Sequence, residues 1–417
     1  MTVLAGTIRC CFASCPLFCH IVPLMSTSLP QPDPVALEHS ARLQTLIAAE
    51  IDAAGGWLSF ARYMELALYA PGLGYYSGGA RKFGPAGDFI TAPELTPLFG
   101  QALAAQAEQV LRASAPAVIE VGAGTGLLAA DLLSALAGRD CLPESYAILE
   151  LSGELRARQA ETLQEKVPEL AARVRWLDRL PEQFSGLVLA NELLDVLPVH
   201  LIAARGQGLF ERGVSLVADE GAAARRLCWA DVPASGAVLA AAQALELPVP
   251  IEGEYVTELN LAAPAWVAAW AERLQQGGLL LIDYGYPRAE YYLPSRSSGS
   301  LLCYYRHHVH GDPFLWPGLN DITAFVDFTA VAEAAHEAGL EVLGYVNQAH
   351  FLYNCGILDR LAERGPQESP AYIRAARAVQ RLTAPQEMGE LFKVLALGRG
   401  LEGNLLGFSR GDRLHAL

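Results

Sequence analysis

The spacing of hydrophobic residues changes along the chain, and each change indicates a different kind of structure. Over residues 35–70, apolar side chains recur every three or four positions, which is typical of amphipathic helices. Short apolar runs that alternate with helical patterns then occupy residues 114–283. Beyond residue 330 a helical pattern is followed by short strands. Strands that alternate with helices predict an α/β fold, in which helices cover both faces of a mostly parallel sheet.

The predicted strands are short and largely apolar. They are Ala117–Val121, Tyr146–Leu151, Arg173–Leu177, Gly186–Ala190 and Gly278–Asp283. The predicted helices beside them cover residues 97–113, Leu127–Leu136, Glu154–Glu165 and Trp266–Gln275. Between the fourth and fifth strands the alternation stops, and this segment is interpreted as an insertion that is partly β.

These patterns divide the chain into four predicted parts. They are a disordered leader and linker at 1–34, an N-terminal helical extension with a covering loop at 35–113, an α/β core at 114–330 with an insertion at about 205–255, and an α/β completion of the core at 331–417.

Residues 1–25 differ in composition from the rest and contain four of the eight cysteines. They follow the pattern of a signal peptide only in part, since prolines interrupt the apolar run and no small-residue cleavage site is evident. Two interpretations remain open, a mis-assigned start before Met25 and an export signal, and we favour the first. The other four cysteines are widely spaced and form no CxxC pair, which predicts a reducing compartment and a cytoplasmic location.

The overall charge narrows the classes of function. The formal net charge is −15, and an acidic surface repels phosphates, so nucleic-acid binding is disfavoured. A small molecule or a basic protein is a better match as substrate. No apolar run is long enough to span a bilayer. No spacing of His, Cys or Asp matches a metal site, and no Gly-x-Ser-x-Gly elbow supports hydrolase chemistry. A homodimer would be common for such a chain, although no sequence feature requires it.

The most informative heptad is EVGAGTG at residues 120–126, which follows a predicted strand and precedes a predicted helix. Glycines let a backbone turn tightly and approach a ligand, and a helix N-terminus offers free N–H groups. The dinucleotide fingerprint is GxGxxG, whereas this loop is GxGxG with an acidic residue two positions before the first glycine. This arrangement resembles motif I of class I S-adenosylmethionine methyltransferases, and it weighs against the alternative of a nicotinamide oxidoreductase.

Further polar residues at the predicted strand ends extend this candidate cofactor site. Glu150 ends the second strand, where a carboxylate can accept both ribose hydroxyls, and Asp178 after the third strand could face the adenine. Both could instead be plain surface carboxylates. The residues predicted to bind cofactor are Glu120, Gly122, Ala123, Gly124, Gly126, Glu150, Leu151 and Asp178, with Asp88, Thr91, Pro93 and Glu94 from the preceding loop and Asn191 from the fourth strand.

The stretch NELLDVLPVH, at residues 191–200, places an amide and two carboxylates directly after an apolar strand. In class I methyltransferases the end of the fourth strand faces the methyl group that is transferred. Asn191, Glu192 and Asp195 are therefore candidates for substrate binding, although Asp195 could simply cap a following helix. Glu258 and His308 lie on later segments that could complete the pocket.

Five motifs occur together and in order along the chain. They are GDFITAPE, EVGAGTG, NELLDVLPVH, IDYGY and PGLNDITAFVDF, which begin at residues 87, 120, 191, 282 and 317. Together they resemble the MidA family, which includes the mitochondrial methyltransferase of complex I assembly, and the resemblance covers roughly residues 40 to 410. It implies a class I, Rossmann-like methyltransferase fold with a mostly parallel seven-stranded sheet, and S-adenosyl-L-methionine as cofactor.

The resemblance also implies an activity, namely symmetric dimethylation of arginine in a protein such as a respiratory complex I subunit. A guanidinium is a planar, cationic fork of donors, which paired carboxylates can hold through bidentate hydrogen bonds. Glu192 is the first candidate for this clamp, with Glu258 or Asp195 as the second, and His308 or Asp321 could take up the proton. Two other functions remain open, a non-catalytic assembly chaperone that binds the cofactor and a small-molecule methyltransferase.

Overall fold

A mixed β-sheet flanked by helices organises the chain in this computed structural model, which describes residues 29–78, 90–206, 208–218, 225–250 and 252–417. The helices of these ranges are α1 (Pro34–Ala53), α2 (Phe60–Tyr69), α3 (Ala92–Leu95), α4 (Leu98–Ala113), α5 (Leu127–Ala137), α6 (Gly153–Lys166), α7 (Pro168–Ala171), α8 (Gly236–Ala244), α9 (Ala262–Ala271), α10 (Arg288–Tyr291), α11 (Phe328–Glu337), α12 (Gln348–Asn354), α13 (Ile357–Ala362), α14 (Pro370–Thr383) and α15 (Met388–Leu391).

The strands are two to thirteen residues long. They are β1 (Leu58–Ser59), β2 (Ala117–Val121), β3 (Ser145–Leu149), β4 (Val174–Leu177), β5 (Phe184–Asn191), β6 (His200–Arg205), β7 (Gly208–Ala218), β8 (Arg225–Pro233), β9 (Tyr255–Leu259), β10 (Leu274–Tyr286), β11 (Leu302–Tyr305), β12 (His308–His310), β13 (Asp321–Thr323), β14 (Val326–Asp327), β15 (Glu341–Asn347) and β16 (Phe392–Arg399).

The main sheet has the strand order β15-β16-β10-β5-β2-β3-β4, and the short strand β14 pairs with β10 beside this path. Strands β2, β3, β4, β5 and β10 are parallel to their neighbours in that group, whereas β16 is antiparallel to both β10 and β15. The sheet therefore has eight strands where seven were predicted, because the two residues of β14 add a short strand.

Alternate residues of β5 pack into two different cores, which explains why this strand is apolar on both faces. Leu187 and Leu189 belong to the core beneath α4 and α5. Val188 and Ala190 belong to the opposite core, which contains Trp270 of α9. A strand buried on both faces has a nearly continuous apolar sequence, so its end is where polar residues first appear. That end is the turn beginning at Asn191.

The N-terminal helices pack on a second sheet rather than on the main one. Strands β1, β7, β6 and β9 form its path, and β8 pairs with β7. Helices α1 and α2 cover this antiparallel sheet and share a third core with it, which includes Leu43, Phe60 and Leu201. The predicted insertion at about 205–255 thus lies within a longer structural unit that runs from His200 to Leu259.

Two predicted boundaries differ from the structure around β10. Helix α9 ends at Ala271, four residues before the predicted end, and β10 extends from Leu274 to Tyr286. The strand is longer than its apolar run because it pairs with β5 on one side and with β16 on the other. Among the described segments, none of the helices combines the length and apolar character needed to cross a membrane.

Candidate active site

The carboxyl ends of β2, β3, β5 and β10 border a single large cavity of about 1310 Å³. Its other walls come from the end of α2 and the loop after it, from the β11–β13 sheet, and from the α14–α15 region. Basic groups on the described walls come from Arg179 and Arg381. Acidic groups are more numerous and come from Glu65, Glu120, Glu150, Asp178, Glu192, Asp195, Asp321 and Glu387.

The glycine loop after β2 adopts a backbone that requires glycine. Gly122, Gly124 and Gly126 have φ angles of +69°, +52° and +83°, in the left-handed region. A Cβ atom on Gly126 would lie 3.1 Å from Cα of Gln159, and one on Gly122 would lie 3.1 Å from Cδ1 of Leu193. The loop therefore presents its backbone to the cavity at the N-terminus of α5, as a ligand cradle of this kind requires.

Glu120, at the end of β2, is 2% exposed and lines the cavity. Tyr146 donates its hydroxyl to Oε2 of Glu120 at 2.5 Å. Burial raises the pKa of this carboxyl to about 7, and the tyrosine hydrogen bond partly opposes the rise. Glu120 therefore places a buried carboxyl group with a raised pKa beside the glycine loop at the cavity.

Glu150, directly after β3, is held in place by two donors. The backbone N–H of Ser152 donates to its Oε1 at 2.9 Å, and Nε2 of Gln159 donates to its Oε2 at 3.1 Å. Arg156 donates to the carbonyl oxygens of Glu150 and Leu177, so it ties the ends of β3 and β4 together. Glu150 and Asp178 both line the cavity, and Arg156 also pairs with Asp178 at 2.7 Å.

These features together fit S-adenosylmethionine. The left-handed glycines turn the loop so that its backbone borders the cavity, which the buried side chains of Glu120 and Glu150 also line. A carboxylate has about four lone-pair sites, so Glu150 keeps acceptor capacity beyond its two protein donors. Acceptors of this kind are what ribose hydroxyls require.

The turn after β5 is fixed by one carboxylate of the neighbouring strand. Oδ2 of Asp283 accepts the backbone N–H groups of Leu193, Leu194 and Asp195 at 3.1, 2.8 and 3.3 Å. Glu192 has a φ of +53°, which is unusual for a residue other than glycine. Strain of this kind persists where surrounding contacts determine the backbone, and here the three hydrogen bonds to Asp283 do so.

The side chains of this turn bring acidic groups together in a buried place. Oε1 of Glu192 accepts from Nδ2 of Asn191 at 3.2 Å and from the N–H of Ala92 at 3.4 Å. Burial raises the pKa of Glu192 to about 8, and the nearby charge of Asp195 adds to the rise. Burial likewise raises the pKa of Asp195 to about 6, although the hydroxyl of Tyr284 donates to it.

Two buried acceptors of this turn lack a hydrogen-bond partner within the described chain. They are Oδ1 of Asn191 and Oδ1 of Asp195, and both residues line the cavity. An unsatisfied buried acceptor costs roughly 1–3 kcal/mol, so the turn is suited to a ligand that carries hydrogen-bond donors.

Two tyrosines contribute a further part of the cavity wall and contact the end of the turn. The rings of Tyr69 and Tyr76 stack with centroids 5.6 Å apart. Tyr69 donates to the carbonyl oxygen of Val196 at 2.9 Å, which joins this wall to the end of the β5 turn. Tyr76 donates to both carboxylate oxygens of Asp321 at 3.0 Å. Aromatic rings and carboxylates therefore meet in the lining of the cavity.

Comparison with known proteins agrees with this geometry. Residues 98–346 match the model of Methyltransf_28, a family of S-adenosyl-L-methionine-dependent methyltransferases. A Drosophila melanogaster protein named protein arginine methyltransferase NDUFAF7 homolog, mitochondrial, is 30% identical over 83% of this chain and 82% of its own length. The Mus musculus protein arginine methyltransferase NDUFAF7, mitochondrial, is 31% identical over 82% and 81%. The chain belongs to the MidA family of methyltransferases.

A solved structure from the same family identifies the cofactor. A COG1565 superfamily member from Burkholderia thailandensis, bound to S-adenosyl-homocysteine, is 53% identical to this MidA-family chain. It superposes with a TM-score of 0.88, over 94% of this chain and 100% of its own. The present chain is accordingly an S-adenosylmethionine-dependent methyltransferase, and the alternative of a nicotinamide oxidoreductase is wrong.

The structure brings most of the predicted cofactor residues of this methyltransferase to one cavity. Its lining includes Glu120, Gly122, Ala123, Gly124, Glu150, Leu151, Asp178, Thr91, Pro93 and Asn191. Gly126 lies on the side of the loop away from the cavity, where it packs against Gln159. Glu94 is directed to its own helix, since its Oε2 accepts the N–H of Thr91 at 3.3 Å. Asp88 lies outside the described residues.

Two predicted catalytic residues do not line the cavity. Glu258 is 2% exposed, and its carboxylate accepts from the N–H groups of Ser300 and Leu301 and from the hydroxyls of Ser300 and Tyr291. These four donors use its acceptor capacity, so the residue fastens the loop before β11 and lies outside the cavity lining. Nδ1 of His308 donates to the carbonyl oxygen of Arg306 in the β11–β12 turn. Its neighbours Tyr304 and Val309 line the cavity instead.

Several residues that shape the site did not stand out in the sequence. The IDYGY motif contributed to the family resemblance without a role for its residues, yet its Asp283 and Tyr284 hold the backbone and a side chain of the β5 turn. Tyr69 and Tyr76 belong to segments that were interpreted as a helix and a cofactor-covering loop. Gln159 lies inside an ordinary helical pattern and carries no signal at all.

Proposed function

We propose that this methyltransferase modifies arginine side chains of a protein and produces symmetric dimethylarginine. The observation that carries the proposal is the set of buried acceptors at the end of β5. Glu192 and Asp195 are carboxyl groups without a described basic partner, and Oδ1 atoms of Asn191 and Asp195 lack donors. A guanidinium supplies both a positive charge and five N–H donors in one plane, so it matches this set.

The cavity also has the size and composition for such a substrate. Ligand pockets commonly measure about 300–1,000 Å³, and this cavity measures about 1310 Å³. It therefore has room for a cofactor and for one long side chain that enters from a protein. The rings of Tyr69 and Tyr76 suit a cation as well, because aromatic faces attract guanidinium groups.

The chemistry follows from positioning. S-adenosylmethionine supplies an electrophilic methyl group when bound and becomes S-adenosylhomocysteine when that group has been transferred. Glu192 and Asp195 would hold the guanidinium with one nitrogen directed toward the glycine loop. Alignment of this kind lowers a barrier by several kcal/mol. The methylated nitrogen loses one proton, and Glu192, whose pKa is raised to about 8, is the acceptor that we assign.

The relatives support the arginine specificity at the level of family. Proteins from fly and mouse that are about 30% identical to this chain are named protein arginine methyltransferases. We extend that activity to this chain together with its class of target, an arginine-bearing subunit of a respiratory complex. The acidic net charge of −15 favours a basic partner of this kind.

The test is transfer of a labelled methyl group. The purified protein is incubated with methyl-labelled S-adenosylmethionine and a lysate from cells that lack it, and labelled proteins are hydrolysed to amino acids. Symmetric dimethylarginine that disappears with Gly124→Val supports the proposal. Label in a small molecule, or no transfer by protein that binds the cofactor, overturns it in favour of a small-molecule methyltransferase or an assembly chaperone.

Glu192→Gln separates the substrate from the cofactor in this assay. A bound guanidinium favours the charged form of Glu192, and the substitution removes this negative charge while it retains the size of the side chain. We expect methyl transfer to fall by about a hundredfold, because hydrogen bonds to charged groups are worth roughly 1.5–3 kcal/mol. Binding of S-adenosylhomocysteine by calorimetry should stay within about twofold of wild type. Unchanged transfer would exclude Glu192 from the clamp.

A further inference from the structure

Gln159 lies behind the cofactor side of the cavity, and its side chain forms hydrogen bonds with three groups there. The residue is 0% exposed and is absent from the described cavity lining. Its Nε2 donates to the carbonyl oxygen of Gly124 at 3.1 Å and to Oε2 of Glu150 at 3.1 Å. Its Oε1 accepts from Nε1 of Trp176 at 2.8 Å. One side-chain amide thus connects the glycine loop, the end of β3 and strand β4.

The backbone at this position is as closely fitted as the side chain. The place where Gly126 lacks a Cβ atom is filled by Gln159, whose Cα, Cβ and Cγ would lie 3.1–3.4 Å from such an atom. Helix α6 consequently sits directly against the glycine loop. Trp176 donates to the amide oxygen of Gln159 and so fixes the orientation of the amide. In this orientation the amide nitrogen is directed toward Gly124 and Glu150.

The hydrogen bonds that Glu150 accepts from the protein do not use all of its acceptor capacity. A carboxylate has about four lone-pair sites. Ser152 occupies one site on Oε1, and Gln159 occupies one on Oε2. Acceptor capacity therefore remains on the carboxylate, and Glu150 lines the cavity. The two oxygens of a carboxylate match two adjacent hydroxyl groups, as on a ribose.

We propose that Gln159 is the positioning residue for recognition of the cofactor ribose. It acts through Glu150, by fixing the orientation of the carboxylate so that its remaining acceptor sites face the cavity. It also acts through Gly124, by holding the carbonyl group of the glycine loop in place. The inference rests on the cofactor site and is independent of the arginine specificity.

Calorimetric titration of the full chain with two ligands tests this role. The ligands are S-adenosylhomocysteine and its 2′-deoxy analogue, which lacks one ribose hydroxyl. Wild-type protein should bind the parent at least about tenfold more tightly, as expected for a hydrogen bond to a charged acceptor. In Gln159→Met, which removes both the donor and the acceptor, this ratio should fall to about twofold or less.

Two further variants make the result specific. Gln159→Glu retains the acceptor for Trp176 but replaces the donor with a carboxylate facing Glu150, so the ratio should collapse as well. Gln106→Met is the matched control. Gln106 lies in α4, is also 0% exposed and also accepts a backbone hydrogen bond, from the N–H of Gly407 at 2.8 Å, but it does not line the cavity. Its ratio should equal that of wild type.

The outcomes are distinct. If Gln159→Met weakens both ligands by the same factor, the residue has a structural role only and the proposal is overturned. Equal binding of both ligands by wild type would also overturn it. If either Gln159 variant fails to fold, as judged by circular dichroism, the other provides the ratio. None of these titrations requires a protein substrate, so their failure would leave the proposed arginine methylation intact.

Discussion

Tyr284 donates its hydroxyl to Oδ2 of Asp195 at 2.5 Å, and both side chains are buried at the edge of the cavity. The pair joins the end of β10 to the turn after β5, and the adjacent Asp283 accepts three backbone N–H groups of the same turn. The geometry of the proposed clamp therefore depends on two consecutive residues of a neighbouring strand.

Tyr284→Phe should slow methyl transfer by about tenfold, because it removes a donor to a buried carboxylate and allows the carboxyl group of Asp195 to rotate. Removal of this hydrogen bond should also raise the pKa of Asp195 further, since the bond opposes the effect of burial. Steady-state kinetics with a labelled cofactor measures the loss. Tyr345→Phe is the control, because the buried hydroxyl of Tyr345 has no hydrogen-bond partner among the described residues. Equal losses in the two variants would contradict this role.

Glu192 should make the stability of the protein depend on pH. Its pKa is raised from 4.5 to about 8 in the folded protein, chiefly by burial. Between these values the folded state retains a proton that the unfolded chain has released, so stability decreases as pH rises through this window. Glu192→Gln abolishes this contribution. The drop in Tm between pH 5 and pH 8.5, measured by scanning calorimetry, should be smaller in the variant. An identical drop would show that Glu192 is not protonated in the fold at pH 5.

Glu258→Gln should affect stability rather than catalysis. The amide cannot accept all four hydrogen bonds that the carboxylate receives, and a buried mismatch costs roughly 1–3 kcal/mol. Urea unfolding should show a decrease of about 2 kcal/mol in the free energy of unfolding. The rate of methyl transfer per folded molecule should be that of wild type. A rate loss as large as that of Glu192→Gln would restore Glu258 to the catalytic site.

Gly126→Ala should destabilise the glycine loop, whereas Gly153→Ala should not. At Gly126 the φ of +83° and the 3.1 Å approach to Gln159 both oppose a side chain, which predicts a cost of about 1–2 kcal/mol. At Gly153, the first residue of α6, a Cβ atom would meet nothing within 4 Å. That substitution should raise stability by up to about 1 kcal/mol. Thermal unfolding of the two variants, with and without S-adenosylhomocysteine, provides the comparison.

The elements that could be predicted well from the sequence are those in which residue type follows directly from local burial or backbone angle. The apolar run Gly186–Ala190 is buried on both faces, so its pattern required a central strand and located the polar turn that follows. The glycines at 122, 124 and 126 were informative for the same reason, because each has a backbone angle that other residues avoid.

The sequence could not predict the role of residues that depend on a partner far away in the chain. Glu258 lies near the end of β9 and Glu192 directly follows β5, and only the donors from residues 291–301 distinguish the first as structural. Gln159 forms its contacts with residues 9 to 35 positions away, none of which shares a motif with it. Asp283 ends a strand like many others, and its three donors come from residues about 90 positions earlier.

The position of β16 has a consequence for synthesis on the ribosome. This strand lies between β10 and β15, although both of those strands precede it in the chain. While a nascent chain lacks Phe392–Arg399, the edge of β10 that pairs with β16 has no partner there, and the open backbone groups invite association with other chains. Phe392 also lines the cavity, so the pocket is completed at the same late step. Newly made chains should therefore depend on chaperones until this strand inserts, and cofactor binding should appear only then.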